Sequence, residues 1–147
     1  MNRFDVVQFD PGHLAEFMPQ VSQAEDYQWI KTVNWGQYAK NGFALTAMLH
    51  GEPICIGGIT RLLPRIGEAW LVIGHQVHHR EMLYLFRAYR KVLQSELQTA
   101  YDRVQMTADA EFKPAVRMAE MLGMVKEGEM KNYPAKGKTS YLLARTS

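Results

Sequence analysis

This 147-residue sequence contains a group of three neighbouring histidines, His75, His78 and His79. Their type and spacing are compatible with proton transfer or metal binding. An imidazole can take up or release a proton near neutral pH, and three imidazoles within five residues could share a metal ion. No His-Glu-x-x-His pattern accompanies them, so the spacing does not favour a metal site. His75 is a candidate general base, and a hydrogen-bonded structural histidine at the end of a strand is the alternative.

The single cysteine, Cys55, is a second kind of reactive side chain. It lies in an apolar run without an adjacent histidine or basic residue, which predicts a buried structural thiol and not a nucleophile. One cysteine also excludes an internal disulfide and a cysteine-based zinc site. The sequence contains no Gly-x-Ser-x-Gly motif and no phosphate-binding loop.

The hydrophobic pattern predicts the elements that must position these residues. Seven strands are predicted, at residues 4–9, 43–49, 53–60, 67–74, 103–107, 125–131 and 140–145. Four helices are predicted: a short one after Asp10-Pro11, a second at about 22–40, a long one at about 79–99, and a last one from near Pro114 to Gly123. The long helix between the fourth and fifth strands implies a parallel crossover in an otherwise mostly antiparallel sheet. We therefore expect a single α/β (α+β) domain over residues 1–147.

Composition and charge narrow the class of protein. Hydrophobic residues make up 47% and charged residues 22% of the chain, which argues against a disordered protein. No apolar run approaches the roughly 18 residues of a membrane span, and Asp5 and Asp10 stand where a signal peptide would be apolar, so we expect a cytoplasmic protein without a membrane partner.

The charge differs between the two parts of the chain: residues 1–60 hold three Lys or Arg against six Asp or Glu, and residues 61–147 hold fourteen against nine. This basic second half suits an anionic ligand but is too mild to indicate nucleic acid.

A resemblance to a known family lies in residues 113–128, KPAVRMAEMLGMVKEG. They resemble a late helix-to-strand stretch of the GNAT acyltransferase superfamily, where an Asn-x-Ala-type start leads to a Tyr-x-x-Leu-Gly-Phe ending and a Glu-Gly strand. The predicted order of strands and helices is also that of this superfamily, and residues 51–58 fit its second and third strands. The resemblance implies a GNAT-like mixed, mostly antiparallel seven-stranded sheet flanked by about four helices, and acetyl-CoA as the cofactor.

In that family the pyrophosphate of acetyl-CoA binds at the start of the long helix, where a Gln/Arg-x-x-Gly-x-Gly/Ala motif lets backbone N–H groups approach the anion. By resemblance, the cofactor-binding residues are Val72, Ile73, Gly74, His78, His79 and Arg80. Residues 75–83 contain no glycine, and Glu81 in the first turn is expected to repel a phosphate there. Arg80 and a protonated His78 or His79 would offset this repulsion in part.

The resemblance implies catalytic residues as well. Glu68, the only carboxylate of the fourth predicted strand, matches the family's common general base, and a solvated strand-end glutamate is the alternative. His75 is the second candidate base. The family often has a Tyr acid where this chain has Ala119, and often an Asn where it has Lys113. Tyr133, in the loop after the sixth strand, is then the candidate acid.

Four aromatic residues lie on the second predicted helix: Tyr27, Trp29, Trp35 and Tyr38. In the GNAT family this region lies beside the cleft for the acceptor, so the rings could bind an amine acceptor. The stretch from Tyr27 to Tyr38 makes about three helical turns, and such a stretch rarely buries four such rings. Aromatic residues are also enriched at interface hot spots. A protein partner that binds through Trp29, Trp35 and Tyr38 is therefore a second hypothesis, beside packing of some rings in the core.

A further resemblance is to the small GNAT-like proteins encoded among the virion genes of short-tailed bacteriophages of coliform bacteria. It rests on residues 51–58, 76–77 and 119–123, and it implies an internal-virion or assembly role. Two functions therefore stay open. One is a GNAT-like scaffold that acts by protein contact with weak or no catalysis. The other is an acetyl-CoA-dependent N-acetyltransferase of a small amine or a protein amino group.

Overall fold

The computed structural model describes residues 4–10, 12–13, 41–75 and 77–147. Its strands are β1 (Asp5–Gln8), β2 (Gly42–Leu49), β3 (Glu52–Leu63), β4 (Ile66–Ile73), β5 (Arg103–Asp109), β6 (Val125–Lys131) and β7 (Thr139–Thr146). The helices of this part are α1 (His79–Thr99) and α2 (Lys113–Met121). All seven predicted strands and both of these predicted helices are confirmed. The helix predicted after Asp10-Pro11 lies, apart from Gly12 and His13, outside the described residues, as does the helix predicted at 22–40.

The strands form one mixed seven-stranded sheet in the order β1-β2-β3-β4-β5-β7-β6. β4 and β5 pair in parallel, because α1 returns the chain between them. The pairs β1–β2, β2–β3, β5–β7 and β6–β7 are antiparallel. The predicted mostly antiparallel sheet with one parallel crossover is therefore confirmed. Within the described ranges, no helix has the length and apolar character needed to cross a membrane.

The chain forms two compact units, of which the first comprises Met1–Thr60 and Ala69–Met82. Its core includes three isoleucines of β3, Ile54, Ile56 and Ile59, each at most 1% exposed. Gly58 pairs with Ala44 of β2, and a Cβ at position 58 would lie 2.1 Å from the backbone oxygen of Phe43. Only glycine therefore permits these two strands to approach so closely.

The second unit comprises Arg61–Glu68 and Leu83–Ser147. Leu93 and Leu97 from α1, Val104 from β5 and Leu143 from β7 are all 5% exposed or less and belong to its core. In β5, the even-numbered residues 104, 106 and 108 are buried and the odd-numbered residues 103, 105 and 107 are half-buried. This alternation is that of a strand with one face in the core, and it places residues 103 and 105 together on the other face.

The end of α2 confirms the predicted helix stop at Gly123. Gly123 has a φ of 90°, in the region that favours glycine. A Cβ there would meet the Cδ of Arg145 at 3.0 Å, and Arg145 Nη1 donates a hydrogen bond of 3.1 Å to the backbone oxygen of Leu122. This contact joins the helix end to β7.

β3 ends three residues later than predicted, because Arg61, Leu62 and Leu63 continue the strand to a turn at Pro64 and Arg65, and it begins one residue earlier, at Glu52. A charged residue near a proline is typical of a turn. Here the Arg61 guanidinium donates to the backbone oxygen of Pro64 at 3.0 Å and lies 5.1 Å from the ring centre of Tyr101. These contacts give the charged group partners while its backbone stays extended.

Candidate active site

The segment from the end of β4 to the start of α1 belongs to the first unit, and it carries the residues predicted to bind the cofactor. Val72 and Ile73 are 3% and 4% exposed, so their side chains belong to the core. The Gly74 N–H donates to the backbone oxygen of Ile54 at 2.7 Å, and the Val77 N–H donates to that of Gly74 at 3.2 Å. The side chains of the strand end therefore serve packing, and a ligand could use only its backbone.

At the start of α1, some polar and charged side chains are exposed to solvent and one is buried. The Met82 N–H donates to the backbone oxygen of His78 at 3.0 Å, so the helical ladder begins at His78. A helix leaves its first N–H groups outside its own ladder, with a partial positive charge that favours anions. His78 and Arg80 are exposed, whereas Glu81 is only 6% exposed. The Arg80 guanidinium and the His78 imidazole therefore meet solvent, while the carboxylate lies on the inward side.

His75 lies at the turn after β4 and is exposed. It is therefore not a core residue, and solvent reaches its imidazole. Gln76 lies outside the described residues, as do Tyr27, Trp29, Trp35 and Tyr38, and the same holds for the side chain of His79. The partner surface predicted at Trp29, Trp35 and Tyr38 therefore stays a prediction.

Glu68, the predicted general base, lies on β4 in the second unit and is half-buried. Burial raises the pKa of its carboxyl above the ordinary value of 4.5. Its Cα pairs with that of Gln105, and this is the last pair of the parallel β4–β5 ladder. Among the described residues, no cation forms an ion pair with Glu68. A half-buried carboxyl without such a partner favours proton uptake at a higher pH than an ordinary glutamate.

A row of polar side chains lies beside Glu68, and the sequence analysis did not find it. Arg103 Nε donates to Gln105 Oε1 at 3.0 Å. Arg103 Nη1 and Nη2 donate to the two carboxylate oxygens of Glu127 at 2.9 and 2.6 Å. A β-bulge between Lys126 and Gly128 leaves Glu127 without a partner in the register of β6 and β7. The contact between Arg103 and Glu127 thus joins β5 to β6 across β7.

The candidate acid, Tyr133, is 38% exposed in the loop between β6 and β7. Its N–H donates to the backbone oxygen of Lys138 at 3.1 Å, and its own backbone oxygen accepts from Ser140 Oγ at 3.1 Å. Its backbone is thus held at both polar groups while solvent reaches the ring. Ala119, where the resembled family often has its acid, is fully buried at 0% exposure.

The cysteine and the possible metal ligands are two further candidate sites. Cys55 is 3% exposed, and burial raises the pKa of its thiol to about 12, so the predicted buried structural thiol is confirmed. In the part of the chain that the structure describes, no three His, Cys, Asp or Glu side chains are grouped as metal ligands.

The fold is that of GNAT acetyltransferases of known structure. A GNAT-family acetyltransferase from Streptococcus pneumoniae superimposes with a TM-score of 0.69 and 19% identity, covering 99% of this chain and 100% of that one. A ribosomal-protein-S5-alanine acetyltransferase from Vibrio fischeri superimposes with a TM-score of 0.69 and 14% identity, covering 99% of this chain and 96% of that one. The aminoglycoside 6'-N-acetyltransferase from Enterococcus faecium superimposes with a TM-score of 0.70 and 14% identity, covering 97% of this chain and 96% of that one. No protein-family model matches the chain, and no curated protein matches it in sequence.

Proposed function

We propose that this chain is an acetyl-CoA-dependent N-acetyltransferase that acts on an amino group. The observation that carries the proposal is Glu68, a half-buried carboxyl on β4 whose pKa is raised by burial. An acceptor amine is protonated at neutral pH and must lose a proton before its nitrogen can attack. A carboxylate that binds a proton more strongly than an ordinary glutamate is a better base for that step.

In this reaction, Glu68 and Tyr133 have different proton-transfer roles. Glu68 takes the proton of the acceptor ammonium and keeps it on its carboxylate. When bound, acetyl-CoA supplies an acetyl group activated as a thioester, whose C–S bond breaks as the new C–N bond forms. Tyr133 is the candidate that would give its hydroxyl proton to the leaving sulfur and take up the second proton of the acceptor nitrogen, because its ring is partly exposed and its backbone is held.

The start of α1 is the candidate site for the pyrophosphate. Its exposed cation Arg80 and its first N–H groups favour an anion, and the carboxylate of Glu81 lies on the inward side. His78 is exposed beside them, and His79 is the third candidate ligand. These residues fit a phosphate by charge, although residues 75–83 contain no glycine to ease the approach of the backbone.

The test is calorimetric titration with acetyl-CoA, coenzyme A and desulfo-coenzyme A, followed by an assay against a panel of amines. We expect a Kd in the micromolar range, worth about 8 kcal/mol. Glu68→Gln should lower kcat by about 10² to 10⁴ while the affinity for acetyl-CoA stays unchanged. Arg80→Ala should weaken that affinity, whereas Arg87→Ala, which removes another exposed arginine of the same helix, should not.

A non-catalytic scaffold that acts by protein contact, for instance in phage particle assembly, is the second candidate. It is favoured by the glycine-free start of α1 and by the buried Ala119 at the family's acid position. For this function we expect no heat and no thermal shift with millimolar acetyl-CoA. Trp29→Ala or Trp35→Ala should then weaken a protein complex without unfolding the chain. A chain that stays monomeric without a partner and binds acetyl-CoA contradicts it.

A further inference from the structure

Four polar side chains of the second unit lie on neighbouring strands between the proposed base and the edge of the sheet: Glu68 of β4, Gln105 and Arg103 of β5, and Glu127 of β6. Residues 103 and 105 lie on one face of β5, since side chains alternate along a strand. Paired residues of neighbouring strands share a face, so the Glu68 side chain lies on that same face beside Gln105. The row therefore starts at the proposed base and ends at an ion pair.

That ion pair holds Arg103 in one orientation. Two parallel hydrogen bonds to Glu127, of 2.9 and 2.6 Å, fix the plane of the guanidinium, and the Arg103 side chain is only 24% exposed. Hydrogen bonding to Arg103 lowers the pKa of Glu127, and the same contact raises the pKa of Arg103. Both groups therefore stay charged at the pH at which an amine acceptor would react.

Arg103 in turn determines which way the Gln105 amide points. A guanidinium only donates hydrogen bonds, so the atom at 3.0 Å from Arg103 Nε must be the amide oxygen. The amide nitrogen then points away from Arg103 with two N–H donors. No described residue accepts a hydrogen bond from this nitrogen in the structure. The chain thus holds a donor of fixed orientation on the residue that pairs with Glu68.

We propose that Gln105 is a positioning residue for Glu68: its Nε2–H group donates a hydrogen bond to the ionised Glu68 carboxylate, in an orientation fixed by Arg103 and Glu127. The inference rests on the proposed function, because it gives the base of that reaction its geometry. The hydrogen bond forms when the carboxyl loses its proton, since a carboxylate is the stronger acceptor. It opposes the cost of burying the charge and directs one carboxylate oxygen.

Arg61, a charged residue of the neighbouring strand β3, has partners of its own. Arg61 lies on β3, the strand on the opposite side of β4, where it donates to the backbone oxygen of Pro64 and lies over the Tyr101 ring. On β5 and β6, Arg103 and Glu127 are paired with each other. On β5, the residue that pairs with Glu68 in register is Gln105.

The test follows the titration of the Glu68 carboxyl carbon by NMR, assigned with Glu68→Gln, in the full chain and in Gln105→Met. Methionine keeps the length of the side chain and removes both polar atoms. Loss of the donor should raise the pKa of Glu68. It should also lower kcat/KM about tenfold at a pH below that pKa and much less at high pH, as expected for one hydrogen bond to a charged group.

Two more variants keep the test decisive if Gln105→Met does not fold. Glu127→Gln releases Arg103, and the loss of a fixed donor should raise the pKa of Glu68, whereas the loss of one negative charge should lower it. At 500 mM salt, which screens the charge effect, the titration should therefore change in the same direction as in Gln105→Met, by a smaller amount. The matched control of Glu127→Gln is Asp102→Asn, which breaks the ion pair between Arg65 and Asp102, 2.8 Å apart in the same unit, and should leave Glu68 unchanged.

The outcomes separate this inference from the proposed function. If no amine is acetylated, the proposed function fails, but the NMR titration still decides the role of Gln105. If acetylation occurs and neither Gln105→Met nor Glu127→Gln changes the titration of Glu68 or the pH profile of kcat/KM, Gln105 has no positioning role. A uniform loss of activity at every pH, with an unchanged titration, likewise overturns the inference and indicates a structural role.

Discussion

Arg80 and Glu81 are neighbours in the first turn of α1, yet Arg80 is exposed and Glu81 is 6% exposed. Successive side chains of a helix are about 100° apart, so one points to solvent while the next points inward. An anion that approaches from solvent therefore meets the cation first. The carboxylate acts on it from a region of lower dielectric, where salt screens charges less.

The first prediction uses this difference. Glu81→Gln should strengthen the binding of acetyl-CoA about fivefold, because it removes a negative charge from the helix start. The gain should persist from 50 to 500 mM salt, whereas the loss in Arg80→Ala should shrink as salt screens the exposed cation. Calorimetric titration at both salt concentrations measures the two effects. Unchanged affinity in both variants would show that this helix start is not the pyrophosphate site.

The second prediction concerns the acid position of the resembled family. Ala119 is 0% exposed, so Ala119→Tyr should destabilise the chain by about 1–3 kcal/mol through overpacking, without a gain in acetyl transfer. Met121→Tyr is the matched control, because residue 121 lies on the same helix and is 49% exposed. Urea unfolding and the amine assay give the two readouts. A stable and faster Ala119→Tyr enzyme would contradict this view of the site.

The third prediction is a dependence of stability on pH. The pKa of Glu68 is raised in the folded chain, so ionisation of this carboxyl opposes folding. The contribution of Glu68 to stability is therefore complete below the ordinary pKa of 4.5 and is lost as pH rises through the raised value. Glu68→Gln should equal the natural chain in stability at pH 4 and exceed it at pH 8. Urea unfolding at the two pH values measures the difference in stability. If Glu68→Gln were less stable than the natural chain at pH 8, ionisation of Glu68 would not oppose folding.

The fourth prediction compares two glycines of the sheet. A Cβ at Gly58 would meet the backbone oxygen of Phe43 at 2.1 Å, whereas no atom lies within 4 Å of a Cβ at Gly128. Gly58→Ala should cost about 3 kcal/mol or more, because backbone atoms must move, and Gly128→Ala should change stability by no more than about 0.5 kcal/mol. The urea midpoints of both variants test this. Equal midpoints would show that β2 can shift away from β3 at little cost.

The sequence predicted the elements well where hydrophobic periodicity is long and regular. The predicted range of the long helix coincides with α1, because its apolar residues recur every three or four positions. The extension of β3 was missed, since Arg61 and Pro64 are typical of a turn and the contact of Arg61 with Tyr101 joins residues forty positions apart.

The candidate site was predictable only in part. Glu68 was found through a family resemblance and through its place on a strand, and the alternation in β5 could have placed Arg103 beside Gln105. Glu127 could not be found in this way, because its contact with Arg103 depends on the order and register of three strands. The burial of Glu81 was also missed, since the sequence does not show which side of the first helical turn faces the core.

The bulge in β6 also affects how this edge of the sheet meets other molecules. β6 is the outermost strand on its side, and an outer strand can serve as a template for aggregation. An incoming strand would need a matching extra residue opposite Glu127, and it would meet the charges of Lys126, Glu129 and Lys131. The residue that anchors Arg103 thus also makes this edge a poor template, so the chain resists edge-to-edge polymerisation along β6 without needing a proline there.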